Sequence, residues 1–528
     1  METRETTKAG WRRGLLRYGF TVVEILLVLG GGALVLFATQ PYGSGVSTDA
    51  AAYLAGADHI ALGEGFLDYR GEPILWWPPL YSSLLALLRR MLGITVLAAG
   101  RYVNAAVHGG FIYFSGRLFG ELLPGRPVWR LAAMAVIASS VSTLALAANI
   151  GADAFFNLLV VLFLLQAIRW RDNHTPLRFW TLVALAGLSP LFRFSAVTLI
   201  GGGTLLMLLP PGDLKQRWRR TLLFGSASSL PLLAWLIGRN YRLYGSLSGS
   251  RDLSAIDVPG NLRFAVPRLA HWAVPYQIMD RLPAAVVVAA GILLVASFIV
   301  WGHPGFIWRR HRDKLIPLLS FSILYAVFVL VTTFTPDHIF SYDDRYYTPL
   351  LAPLTGMLFL ALSDFLERFK RPVRKSGSYV LLASFALWLI YPVHLTSKFV
   401  RASREKGVPF YNLHHTAALQ DSVFTEAVQA FPFEQDAYLY SNFPASVYVQ
   451  TGYTTDIPPR DADHPRADPA LLGENIVGWP EATPAYLIWY LPDDRPMYYD
   501  PESLNTLRPL DLLIELEDGL IYAVGMTP

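Results

Sequence analysis

The chain reads as a mainly α polytopic membrane protein of about 11 transmembrane helices, followed by a small C-terminal extracytoplasmic α/β domain. Three observations predict this. Of 528 residues, 53% are hydrophobic and only 16% charged, where soluble chains carry roughly 45–50% and about 25%. The excess is gathered into apolar blocks long enough to cross a bilayer, separated by short basic loops. The charge is also divided along the chain: residues 1–394 hold 36 Lys and Arg against 21 Asp and Glu, whereas residues 395–528 hold 8 against 19. Two domains follow, a basic membrane part (1–394) and an acidic soluble tail (395–528). Cysteine is absent, which excludes disulfides, a thiolate nucleophile and Cys-ligated metal. Basic residues confined to short loops point to lipid as the partner and not to nucleic acid.

Backbone polar groups cannot stay unpaired in hydrocarbon, so each block is expected to be a helix. Spans fall near 20–38, 100–119, 129–148, 153–170, 178–192, 194–210, 220–238, 284–301, 315–333, 346–363 and 378–394. The first is longer than a signal-peptide core, and Gln40-Pro41-Tyr42-Gly43 after it lacks a small-x-small cleavage pattern, so it reads as an uncleaved span. Arg4, Lys8, Arg12, Arg13 and Arg17 set the N-terminus in the cytoplasm, and every second later loop is basic, as at Arg126/Arg130 and Arg309/Arg310/Arg312/Lys314. An odd number of spans then leaves the tail outside a cell membrane crossed many times. Residues 79–92 are apolar but short and contain Arg89 and Arg90. If they crossed, all later basic loops would change side, so they are expected to form a juxtamembrane or re-entrant helix on the outer face. The outer regions are 39–99, 239–283 and the tail. In the tail, 437–441, 446–450 and 485–491 read as strands, and 413–430 and 502–513 as helices.

The outer loop 39–99 carries the first candidate chemistry. Asp49, in Ser47-Thr48-Asp49 just past the first span, is placed where a carboxylate reaches both lipid headgroups and an aqueous acceptor. Thr48 or Ser47 can cap the helix that follows, and Asp49 itself would also serve as its cap. Tyr53, Trp76, Trp77 and Tyr81 lie downstream, and the tryptophans also suit an interfacial anchor. Asp153 opens a later span on the same face, where a carboxylate is favoured by the helix dipole alone. Arg193 interrupts a long apolar stretch, Arg239 follows the seventh span, and Arg345 with Tyr346 and Tyr347 precedes the tenth. Arginine suits phosphate because its planar fork pairs two oxygens at once, although leaflet anchoring would also use it.

The order of these features carries a resemblance. After the loop Asp come Pro78-Pro79-Leu80-Tyr81, Gly151-Ala152-Asp153-Ala154-Phe155, Leu191-Phe192-Arg193, Arg239-Asn240-Tyr241 with Gly245, and Arg345-Tyr346-Tyr347 with Pro349-Leu350 and Pro353. In this order and sidedness the chain resembles the GT-C superfamily of integral-membrane glycosyltransferases. It is most similar there to bacterial relatives of the protein O-mannosyltransferases and lipid A aminoarabinose transferases, over roughly residues 20–360. Where the family often has a basic residue before the Pro-Pro helix, this chain has Trp77.

The resemblance implies a sugar moved from a polyprenyl-phosphate donor to a lipid, glycan or protein acceptor on the outer face, with Asp49 the base. Asp153, Tyr53, Tyr81, Arg193, Arg239, Arg345 and Tyr346 would bind substrate. A phosphate leaving group needs no protonation, so one base and cations suffice, which implies single displacement with inversion. No cofactor is certain; Mg²⁺ or Mn²⁺ held by Asp49 and Asp153 stays open, and zinc is disfavoured because no His-rich set accompanies them. A transporter or flippase, or a non-catalytic scaffold, are the competing classes. Against the transporter stands the lack of an evident duplicated half.

Overall fold

The structure is a computed structural model that describes residues 2–209, 213–247, 270–274, 304–332, 344–459, 478–491 and 498–525, with side chains from Tyr18 onward. The expected span at 284–301 and most of the 239–283 loop lie outside the described residues.

The membrane part is helical: α1 (Glu2–Ala38), α2 (Thr48–Leu62), α3 (Leu80–Leu92), α4 (Val96–Leu122), α5 (Pro127–Ala138), α6 (Val141–Ala148), α7 (Asp153–Asp172), α8 (Pro176–Leu188), α9 (Val197–Leu208), α10 (Leu214–Trp235), α11 (Pro304–Thr332), α12 (Leu351–Glu367) and α13 (Arg371–Lys406). Local chemistry fixes many starts. Thr95 caps α4, Ser140 caps α6 and Asp213 caps α10, while Pro127 and Pro176 occupy first-turn positions of α5 and α8.

Six described helices are long and apolar enough to cross a membrane, or eight if the bent pairs α3–α4 and α5–α6 each count as one span. About 11 were expected. Of the other three, the span expected at 284–301 lies outside the described residues, while α8 has 13 residues and the apolar helix at 194–208 is likewise short, below the ~20 that cross a bilayer's hydrocarbon. α3 stands at 111° to α4 and packs across α2, sharing a core in which Tyr53, Leu54, Tyr81 and Leu85 are buried. It does not continue the α4 span.

α1 lies so close to α4 that a Cβ at Gly32 would stand 3.1 Å from the Ala105 carbonyl oxygen. Small residues permit such approach where lipid supplies no hydrophobic drive between helices. The main core joins α4, α5 and α7–α12 around fully buried Phe119, Phe156, Phe163, Phe224, Phe321 and Tyr325. Near the C-terminal end of α12, the fully buried Asp364 binds Arg126 at 3.1 Å and His311 at 2.7 Å, tying α5 and α11 to α12.

The tail builds a four-stranded sheet from β1 (Tyr438–Ser441), β2 (Ala485–Tyr490), β3 (Leu510–Leu516) and β4 (Gly519–Val524), in the order β1-β2-β4-β3. β1 runs parallel to β2, and the other pairings are antiparallel. β2 is buried on both faces: Leu487 and Trp489 pack toward Leu504 of α16 (Pro501–Leu507), and Ile488 and Tyr490 toward Phe424 of α14 (Val423–Ala430) and Val447 of α15 (Pro444–Thr451).

Three local expectations for the tail are corrected. Residues 446–450 are helical, not a strand: Pro444 opens α15, Gly452 closes it at positive φ, and burial of Val447 overrides β-branched preference. The expected helix 502–513 stops at Leu507, because Pro509 cannot continue it, and Leu510 onward pairs with β4 as a strand. The expected helix 413–430 is broken into Ala417–Gln420 and α14, with 410–416 left as a bonded linker.

A candidate active site around Asp49

The loop between α1 and α2 has no secondary structure of its own beyond one bridge. Gly45 pairs with Asn149 as an isolated parallel β-bridge, its N–H donating to the Ala148 carbonyl at 3.1 Å while its carbonyl accepts from Ile150 N–H at 2.9 Å. A Cβ on Gly45 would overlap the Asn149 side chain, which would have to move to admit any other residue. This bridge sets the start of α2 beside the start of α7. Two carboxylates 104 positions apart in the chain, Asp49 and Asp153, thereby open neighbouring helices. The turn before α7 is held further by Asn104, which donates to the Asn149 carbonyl at 2.6 Å, and by the Tyr81 hydroxyl, which donates to Asn104 at 3.1 Å and accepts from Gly151 N–H at 3.2 Å.

Ser47, not Asp49, is the α2 cap: its hydroxyl accepts from Ala50 N–H at 3.2 Å. The Asp49 carboxylate is therefore available for another partner, and it takes Arg345, whose Nη1 stands 3.1 Å from Oδ2. Arg345 Nη2 also donates to the Tyr346 hydroxyl at 2.8 Å, and the guanidinium lies 4.9 Å from that ring's centre. On the ring's account a second cation joins: Arg193 lies 5.6 Å from the same centre and binds Asp153 at 2.6 Å. The result is a continuous chain, Asp49–Arg345–Tyr346–Arg193–Asp153. Burial is the largest single influence and acts to lower the Arg193 pKa, with Arg345 adding to it, but Asp153, Tyr346 and Tyr53 together outweigh them and the net direction is upward. Arg193 stays a cation.

Tyr53 is buried beside this chain, edge-on to Tyr81 at 5.3 Å and to Trp77 at 6.5 Å. Its phenol is pushed upward mainly by burial; Arg193 opposes, and Asp49 and Asp153 add to the rise. It therefore stays a neutral hydroxyl within the field of all three charges. Phe155 stacks on Phe192 at 4.8 Å and meets Tyr81 at 6.0 Å, so the aromatic wall continues toward Arg193.

Arg239 is engaged elsewhere. Its Nη1 donates to the Ile74 carbonyl at 2.5 Å and to Asn240 at 3.0 Å, its Nη2 donates to the Phe66 carbonyl at 3.1 Å, and its plane lies over Phe66 and Trp235. It fastens the outer loop that leads to Trp76-Trp77.

The tail linker contributes residues that the sequence reading did not single out. The Tyr411 ring lies 6.0 Å from the Arg345 guanidinium, and His414 Nε2 stands 3.0 Å from the Thr48 hydroxyl. The only cue in the sequence is the polar run Tyr411-Asn412-Leu413-His414-His415 directly after the last span. It has no periodicity to read.

Among the described residues no three His, Cys, Asp or Glu side chains converge on a point that could hold an ion. Asp49 and Asp153 each hold a guanidinium, a donor set that suits an arriving anion on the arginines better than a divalent cation between the carboxylates.

No family model and no curated protein matches the sequence. Solved structures do match the fold. ArnT from Cupriavidus metallidurans aligns over 96% of this chain and 98% of its own, with a TM-score of 0.55 and 11% identity in the apo state. Its complex with undecaprenyl phosphate gives the same coverage and TM-score at 12% identity. The Archaeoglobus fulgidus oligosaccharyltransferase, crystallised with Zn and sulfate, aligns over 94% of this chain and 73% of its own, at a TM-score of 0.54 and 12% identity. The chain thus has the fold of the GT-C integral-membrane glycosyltransferases.

Proposed function

We propose that this protein is a membrane glycosyltransferase that takes a sugar from a polyprenyl-phosphate donor and passes it to an acceptor at the outer face of the cell membrane. The observation that carries the reading is the linked set Asp49–Arg345–Tyr346–Arg193–Asp153, in a fold shared with an ArnT solved with undecaprenyl phosphate bound. The donor phosphate sits on Arg345 and Arg193, whose cationic forks match its oxygens. As it arrives, Arg345 exchanges Asp49 for phosphate and the carboxylate is released. Asp49 then removes the proton of the acceptor hydroxyl while that oxygen bonds to the anomeric carbon. The bond from that carbon to the phosphate oxygen breaks in the same step, and polyprenyl phosphate leaves with the electron pair. Configuration inverts. Asp153 holds Arg193 in place, and Tyr53, Tyr81 and Tyr346 line the sugar and phosphate region. Arg239 keeps the outer loop over it.

Mass spectrometry of lipid extracts tests this in a strain lacking the gene. A polyprenyl-phosphate-linked sugar should accumulate, disappear when the parent protein is restored, and persist with Asp49→Asn. An unchanged lipid profile in the deletion strain would remove the reading.

A further inference from the structure

We infer that the tail linker, residues 410–415, is a splint that fixes both halves of the Asp49–Arg345 pair, with His414 a positioning residue for the base. This rests on the glycosyltransferase reading above and extends it to a part of the chain outside the membrane bundle.

The loop 42–48 needs outside partners on two sides. On one side the bundle supplies the Gly45–Asn149 bridge. On the other the linker supplies nearly every bond. Val46 N–H donates to the Asn412 side-chain oxygen at 3.0 Å, and the Val46 carbonyl accepts from Leu413 and His414 N–H at 2.9 and 3.0 Å. His415 Nδ1 donates to the Ser44 carbonyl at 3.1 Å, and Gln420 donates to that of Tyr42 at 2.9 Å. The His414 ring itself is 4% exposed. It bridges the Thr48 hydroxyl, adjacent to Asp49, and the Ser446 hydroxyl of α15 at 2.8 Å. A buried imidazole bonded at both nitrogens is fixed in its plane, and so fixes the first turn of α2 against the tail domain.

The same segment reaches the other member of the pair. Tyr411 lies over Arg345, and to do so both Phe410 and Tyr411 adopt left-handed backbone, φ +66° and +56°. Two consecutive non-glycine residues in that region are strained and persist only where surrounding contacts over-determine them. The strain turns the chain so that Tyr411 faces the guanidinium while Asn412 to His415 face the loop. Misplacing a catalytic group by about 1 Å costs on the order of a hundredfold in rate, so a splint of this kind acts on turnover more than on donor binding.

The test uses the full chain, purified and added to membranes of the deletion strain, with the rate of loss of the accumulated lipid as readout. Binding of undecaprenyl phosphate by native mass spectrometry and the melting temperature in detergent are measured in parallel. Thr48→Val removes only the hydroxyl facing His414, since Ser47 is the cap. His414→Phe and Thr48→Val should each lower the maximal rate roughly ten- to hundredfold, with undecaprenyl phosphate binding within about twofold of the parent. His414→Gln, which can still reach Thr48, should recover more rate than His414→Asn, which reaches only toward Ser446. Equal recovery by the two, rates matching the parent in both Thr48→Val and His414→Phe, or rate losses that merely follow the fraction of folded protein overturn the splint while leaving the glycosyltransferase reading intact. If Asp49→Asn turns over at the parent rate, both fall.

Discussion

Arg345 Nη1 stands 3.1 Å from Asp49 Oδ2, although the two residues are 296 positions apart in the chain. The pair is unequal: the Arg345 side chain is 18% exposed and that of Asp49 40%. The acid is the more accessible partner, and it is the one that an acceptor hydroxyl must reach. Its partner cation is held from behind by Tyr346 and Tyr411.

Replacing Asp49 by Asn keeps the shape and removes the base. General-base removal is expected to cost about 10²–10⁴-fold in turnover. Because Asn competes less for Arg345, undecaprenyl phosphate should bind Asp49→Asn at least as tightly as the parent. A titration in which the variant binds more weakly contradicts the exchange of partners on Arg345.

Arg345→Ala should weaken donor use far more than a surface arginine change. Truncating one partner of a buried charge pair costs about 2–5 kcal/mol, which corresponds to roughly thirtyfold to several-thousandfold in donor affinity. Arg345→Lys should recover part of this, lacking the planar fork. Native mass spectrometry across the three proteins checks the ranking parent, Lys, Ala.

The Arg193–Asp153 pair is mostly enclosed, at 16% and 14% side-chain exposure. Arg193→Met alone leaves a carboxylate without its cation, an effect of about 3–5 kcal/mol on stability when such a pair is fully buried. The double change Arg193→Met with Asp153→Asn should melt higher than Arg193→Met alone. Additive losses in the melting temperatures would show the pair to be uncoupled.

Arg239 is predicted to act on the loop and not on the phosphate directly. Arg239→Met frees the Phe66 and Ile74 carbonyls, so trypsin should cut at Arg70 faster while undecaprenyl phosphate binding falls less than with Arg345→Ala. Comparable losses of binding in the two variants would put Arg239 on the donor.

His415 gives a pH dependence. Burial lowers its pKa below the ordinary 6.5, with the Ser44 carbonyl partly opposing. The unfolded chain thus takes up the proton first. Its contribution to stability is full above about pH 6.5, is lost as pH falls toward the lower folded value, and is flat below that. Melting temperatures between pH 5 and 8 should show a fall on the acid side that is smaller in His415→Gln.

Much of this site is legible in the sequence by residue type. Asp49, Asp153, Arg193 and Arg345 stand out because charges at the edges of apolar blocks are costly unless used, and the structure joins them through Tyr346. What could not be read is which acid meets which arginine. Pairing depends on the Gly45–Asn149 bridge, a contact between two loops that leaves no periodic trace. Arg239 looked equivalent to the other arginines, and only its carbonyl partners distinguish it. In the tail, Ser446–Gln450 carried strand-forming residues and became helix because packing of Val447 outweighed local preference.

The sequence by itself determined the membrane class, the outlying α3 and the identity of the charged residues at the helix ends. These follow from the cost of moving polar backbone and charge into hydrocarbon, which is summed residue by residue along the chain. The tertiary structure alone decided that residues 410–415 close over the Asp49 loop and which of the candidate caps is used, Ser47, so that the carboxylate of Asp49 meets Arg345. Those are long-range hydrogen bonds and ion pairs whose geometry arises only when distant segments are already packed together.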